Sequence, residues 1–125
     1  LADARKGIAM FQMDSISVPV LGVVENMSYF SPKELPENKY FIFGKDGAQN
    51  LCKKLNIPLL AEVPLVQSVR EASDIGRPAI LQGATDVGLC FEKLTNNFIL
   101  ELEKLNKKGI TTKKVEITNM NGCSS

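Results

Sequence analysis

The sequence predicts an α/β fold in which helices flank a parallel sheet. Three observations carry that expectation. VPVLGVV, from Val18 to Val24, is a continuous apolar run without polar alternation, as expected of a strand buried on both faces, and IPLLAEVPL, from Ile57 to Leu65, reads as another buried strand. Between and after them stand segments whose apolar residues recur at helical spacing. The alternation of the two kinds of segment is that of a parallel sheet with crossover helices.

The first element is a helix. In LADARKGIAMF the residues Leu1, Ala4, Ile8 and Phe11 fall on one face, with Arg5 and Lys6 on another. It opens without a capping residue or an initiating methionine, so the chain is expected to be a piece of a longer protein with at least one strand upstream. A strand follows over Val18–Val24, with Pro19 near its start, where a missing N–H is tolerated. Residues 28–39 are expected to be a loop, with Pro32, Pro36, Glu37 and Asn38 as breakers, and Tyr40–Phe43 a short extended piece. The second helix spans Gly44–Leu55, apolar at Ala48, Leu51, Cys52 and Leu55 and stopped by Asn56.

The second strand is expected over Pro58–Val63, broken at Pro64. VQSVREASDIG forms a short helix that Gly76 ends, with Pro78 beyond it. After the PAIL run, Asp86 is expected to cap a long helix over Val87–Lys107, whose stripe is Val87, Cys90, Phe91, Leu94, Phe98, Leu102 and Leu105. Residues 1–108 therefore read as one unit and 109–125 as a flexible tail, in which KKVEIT could instead add an edge strand.

Composition excludes several chemistries. With 125 residues the chain holds one modest core. A formal net charge of +1 gives no electrostatic reason to expect nucleic acid or an anionic membrane surface. No apolar run approaches the roughly 18 residues of a membrane span and no signal peptide opens the chain, so a cytoplasmic protein is expected. There is no histidine, which removes Ser-His and Cys-His nucleophiles and His-ligated zinc. The three cysteines, Cys52, Cys90 and Cys123, are too far apart for a CxxC site. No catalytic or metal-ligating residue is assigned.

Ligands of open parallel sheets bind outside the carboxyl ends of the strands. Asn26 lies at one such end and the turn at Pro64 and Leu65 at the other. An asparagine amide presents an acceptor and donors in one plane and can match the N6/N7 edge of adenine. A proline turn could add a flat apolar wall. An isolated Asn after a strand is more often a turn residue, and Glu25 beside it could be a solvated rim charge. The phosphate-binding sequence GxxxxGK[ST] occurs nowhere; Gly44-Lys45 lacks the upstream glycine and is followed by Asp46.

The blocks LADARKGIAMF, VPVLGVVENMSYF, IFG and IPLLAEVPLVQSVREASDIGRP together resemble the C-terminal half of the Mrp/ApbC family of P-loop ATPases, iron–sulfur cluster carriers related to MinD-type deviant P-loop proteins. The resemblance covers roughly Leu1 to Leu81. It implies a P-loop NTPase-type sheet, here without the P-loop, and ATP with Mg as ligands of the parent protein. It also implies that Asn26 recognises adenine, that Pro64 and Leu65 line the base, and that Arg70–Pro78 form the helix beside the pocket. The parent would be a homodimeric ATPase that delivers clusters to iron–sulfur clients, whereas this chain alone, lacking the Walker A motif, would not hydrolyse ATP. In the family the loop after MSYF carries a CxxC pair that, with its copy in a second subunit, ligates a [4Fe–4S] cluster. Here SPKELPENKYFIFG has no cysteine between Phe30 and Gly44. Cys52 and Cys90 lie on apolar stripes and read as small buried hydrophobes, which leaves Cys123 as a possible single ligand. The alternative to a carrier is a protein-interaction or dimerisation module in which this loop has exchanged metal for a partner.

Overall fold

A computed structural model describes residues 1–110 other than Lys33, Pro36 and Ala84. The KKVEIT strand, Cys123 and all of the expected 109–125 tail beyond Ile110 lie outside the described residues. In chain order the elements are α1 (Ala2–Phe11), β1 (Val23–Phe30), α2 (Gly47–Leu55), β2 (Leu59–Leu65), α3 (Gln67–Asp74), a 3-10 turn (Ala79–Gln82) and α4 (Asp86–Lys107).

The α/β class is as expected: β1 and β2 pair in parallel and helices flank them. The first strand, however, lies further along than its apolar run. Val18–Gly22 are half-buried lead-in without strand pairing, and the ladder opens where the Val23 N–H donates to the Pro58 carbonyl at 2.9 Å. Apolarity reports burial; pairing is decided by which backbone groups meet. Asn26 is thus inside β1 rather than at its end.

Backbone alternation along β2 explains why the strand is not broken at Pro64. Asn26 faces Val63 and Phe30 faces Leu65, so three residues of β1 stand opposite Pro64 alone. A proline cannot donate to a ladder, but no donor is needed here: the Glu62 carbonyl, two positions earlier, points away from β1 to Cys90 of α4, so the Pro64 nitrogen lies on the outer edge of β2, where a strand tolerates proline. The buried Ser28 hydroxyl donates to the Val63 carbonyl at 3.4 Å across the gap. A second irregularity lies at the other end, where Val23 and Val24 face Leu59 and Ala61 and leave Leu60 unpaired. Its carbonyl accepts from Asn97 Nδ2 of α4 at 2.7 Å.

Helix α2 packs Ala48, Leu51 and Cys52 against the sheet, Leu51 being only 2% exposed, and ends at Asn56 in the left-handed conformation (φ 52°). It starts at Gly47 rather than Gly44, because Gly44 (φ 95°) and Asp46 (φ 60°) first turn the chain through left-handed backbone. Helix α4 runs beside β2, with Val87 and Gly88 buried. Its cap is Thr85, whose Oγ1 accepts the Gly88 N–H at 3.1 Å; Asp86 is the first helical residue and favours the positive helix end. Among the described residues, no helix is long and apolar enough to cross a membrane.

Candidate functional site

Strand β1 alternates faces until its bulge. Val23 and Glu25 are half-buried, while Val24 and Asn26 are exposed on the opposite side. The Glu25 carboxylate is not a rim charge: its Oε1 accepts the Ala48 N–H at 3.3 Å in the first turn of α2. Beside it, Gln49 donates to Glu62 Oε1 at 3.4 Å. The backbone then turns through Met27 in the left-handed region (φ 56°), and Asn26 Oδ1 accepts the Met27 N–H at 2.9 Å. A carbonyl oxygen has two lone pairs, so this bond leaves Asn26 an acceptor site as well as its amide donors.

Past the bulge, the Phe30 and Tyr40 backbones exchange two hydrogen bonds of 2.8 Å and close the loop between them. The Lys39 ammonium stands 4.3 Å from the centre of the Tyr29 ring, and the Tyr29 and Phe41 rings lie 6.3 Å apart. Lys45 covers the Phe41 ring at 5.2 Å. Below this loop, at the carboxyl ends of both strands, is a cavity of about 550 Å³. Tyr29, Pro32 and Lys39 line one wall, and Pro64, Thr85 and Leu89 the other. Its size is that of a small-molecule site.

Of the three residues singled out in the sequence, Pro64 is buried and lines this cavity. Asn26 is opposite Val63, one position before Pro64 in the ladder, but does not line the cavity, and Leu65 is half-buried opposite Phe30. The structure therefore brings Asn26 and Pro64 to adjacent rungs and sets Leu65 one rung beyond. Sequence reasoning missed Tyr29, Lys39 and the start of α4 as cavity walls. Thr85 carried a signal, a cap residue before an apolar stripe; Lys39 carried none, because its place depends on the ring of a residue ten positions earlier.

Cys52 is buried as its stripe predicts, whereas Cys90 is only half-buried. Burial pushes Cys52 up from its ordinary range, with the negative charge of Glu25 adding to it. Cys90 is raised by burial as well; Lys93 works against the shift and Glu62 with it, and the thiol donates to the Glu62 carbonyl at 3.3 Å. Among the described residues no three His, Cys, Asp or Glu side chains converge as a metal site.

The model of the ParA family, described as the NUBPL iron-transfer P-loop NTPase, matches residues 1–99. The chain belongs to this family. Among curated relatives of the ParA/NUBPL family, an iron–sulfur cluster carrier protein of Synechocystis is 49% identical over 65% of this chain and 22% of its own length. An Arabidopsis thaliana iron–sulfur protein required for NADH dehydrogenase, mitochondrial, is 41% identical over 86% of this chain and 34% of its own. The mouse iron–sulfur cluster transfer protein NUBPL is 39% identical over 82% and 32%. The chain thus spans between a fifth and about a third of these relatives. A solved nucleotide-binding protein from Archaeoglobus fulgidus, in complex with ADP, superposes with a TM-score of 0.53 at 33% identity, over 61% of this chain and 30% of that one.

Proposed function

We propose that this chain is the adenine-side portion of an ATP-binding member of the ParA/NUBPL family, whose complete form is a homodimeric ATPase that carries iron–sulfur clusters to client proteins. The observation that carries the reading is the adjacency of Asn26 and Pro64 at the broken end of a parallel ladder, in a chain whose structural relative was solved with ADP. The donor set suits a base: Asn26 offers a planar amide and Pro64 an apolar wall, with Leu65 one rung beyond. Phosphates and Mg would be held by residues this sequence does not contain, since it has no GxxxxGK[ST].

The test uses the longer polypeptide that includes the phosphate-binding loop. Asn26→Ala is expected to erase its preference for ATP over GTP, a loss of about 1–3 kcal/mol of discrimination. Unchanged preference, measured by competition with a fluorescent nucleotide, removes the adenine assignment.

Cluster carriage has less support from this chain's own residues, because the loop between Phe30 and Gly44 contains no cysteine. Anaerobic reconstitution of the same polypeptide, with and without Cys123→Ser, tests whether ligands have moved to the tail. A second reading rests on a specific observation. Ile42 and Phe43 are 60% and 71% exposed at the tip of the aromatic loop, which suits a protein-interaction or dimerisation module. That reading requires Phe43→Ser to abolish assembly while nucleotide affinity is kept.

A further inference from the structure

Helix α2 lacks a cap of its own. Its N-cap residue, Asp46, is in left-handed backbone and its side chain makes no capping hydrogen bond. The first amides of a helix need acceptors and favour a negative charge. Glu25 supplies both from another element, through the 3.3 Å bond from the Ala48 N–H. The same carboxylate raises the Cys52 thiol, which places its charge at the inner face of α2. Helix α2 is in turn held by the buried Ala48, Leu51 and Cys52. Glu25 is therefore anchored to a packed element, and Asn26 is the next residue, on the opposite face of the strand.

On the other side of Asn26 the chain is strained. Met27, a non-glycine residue, has φ 56°, a conformation that persists only where its surroundings over-determine it. One local bond, from the Met27 N–H to Asn26 Oδ1, supports it. We infer that Glu25 is the positioning residue of the base site: by tying β1 to the N-terminus of α2 it holds the strained Asn26–Met27 pair in the one geometry that presents the amide. The inference rests on the adenine reading of Asn26.

Dissociation constants for ADP and GDP are measured on the longer polypeptide for wild type, Asn26→Ala, Glu25→Ala and Glu25→Gln. Asn97→Ala, which frees the Leu60 carbonyl on the far side of β2, serves as a control for lost stability alone. Asn26→Ala should lower the ADP preference about tenfold. Glu25→Ala should lower it about fivefold or more, the cost of one hydrogen bond, while Glu25→Gln, whose amide oxygen accepts the same bond, keeps it within about twofold. Asn97→Ala should leave the ratio unchanged, because instability weakens both nucleotides equally. If Asn26→Ala lowers the ratio and Glu25→Ala does not, the positioning role is overturned and the adenine reading stands. If Asn26→Ala leaves the ratio intact, both fall. Should Glu25→Ala not fold, Glu25→Asp, whose carboxylate is one methylene short of Ala48, carries the test, and a wild-type ratio there overturns the inference.

Discussion

Gly22→Ala separates two opposing effects by sign. The backbone of Gly22 is outside the left-handed region, so alanine is conformationally acceptable there. By unfolded-state entropy alone the substitution should stabilise by about 0.4–1 kcal/mol. The surroundings oppose it. A Cβ at this position would lie 2.5 Å from Leu60 Cγ, 2.7 Å from Leu60 Cδ2 and 2.9 Å from the Pro58 carbonyl oxygen. Leu60 is itself buried and could shift only by disturbing the core. The Pro58 carbonyl cannot move, because it accepts the Val23 N–H that opens the ladder. Overpacking of this kind costs about 1–3 kcal/mol, which exceeds the entropic gain. Net destabilisation of about 1–2 kcal/mol is expected. In urea, with a slope of about 1–3 kcal/mol/M, that lowers the midpoint by roughly 1 M. Circular dichroism at 222 nm follows the transition. Gly22→Ala combined with Leu60→Ala should still be less stable than Leu60→Ala, since the carbonyl clash remains. A Gly22→Ala midpoint equal to or above wild type would refute the close approach and with it the pairing of Val23 with Leu59 that opens the ladder.

Two further outcomes follow from the same geometry. Thr85→Ala removes the acceptor of the Gly88 N–H and should cost about 1 kcal/mol, or a few degrees of melting temperature, while Thr85→Ser restores it; equal melting temperatures would mean that the hydroxyl does not cap α4. Both described thiols are raised in the folded chain, so the unfolded chain loses its protons first. Stability should be level below the ordinary thiol range, near about pH 8.5, and fall as pH rises through it toward the folded values. Urea midpoints at successive pH values, compared with Cys52→Ala/Cys90→Ala, isolate that slope, and identical slopes in the two proteins would refute buried neutral thiols.

The elements that follow from side-chain periodicity were legible: α2 with its buried Ala48, Leu51 and Cys52, the left-handed stop at Asn56, and the length of α4. What escaped depended on backbone partners far along the chain. An apolar run such as VPVLGVV states that its side chains avoid water, but pairing starts only where Val23 meets Pro58, and nothing within the run marks that point. Pro64 was legible as a residue that cannot donate. That its nitrogen would lie on the outer edge, so that β2 continues past it to Leu65, depends on which residues of β2 turn toward β1 and which toward α4. At the proposed site, residue chemistry singled out Asn26 and Pro64, whereas the bond from Ala48 to Glu25 could not be read without knowing that Asp46 would turn left-handed and leave α2 without a side-chain cap.

The position of the candidate site follows from the irregularity in the ladder between Asn26 and Phe30. A regular parallel ladder consumes the N–H and C=O groups along the facing edges of its strands, leaving no backbone polarity there for a ligand. Beside Val63 and Pro64, β1 departs from it, with a left-handed Met27 and three residues opposite one. Ser28 recovers the Val63 carbonyl from within the gap. The disruption thus stays local: β2 remains buried at Val63 and Pro64, and pairing resumes at Phe30. Two consequences meet at that point. Asn26 is the last residue of regular pairing, presented on the exposed face with amide groups to spare. Immediately beyond it the strand ends open into the cavity beneath Tyr29 and Lys39.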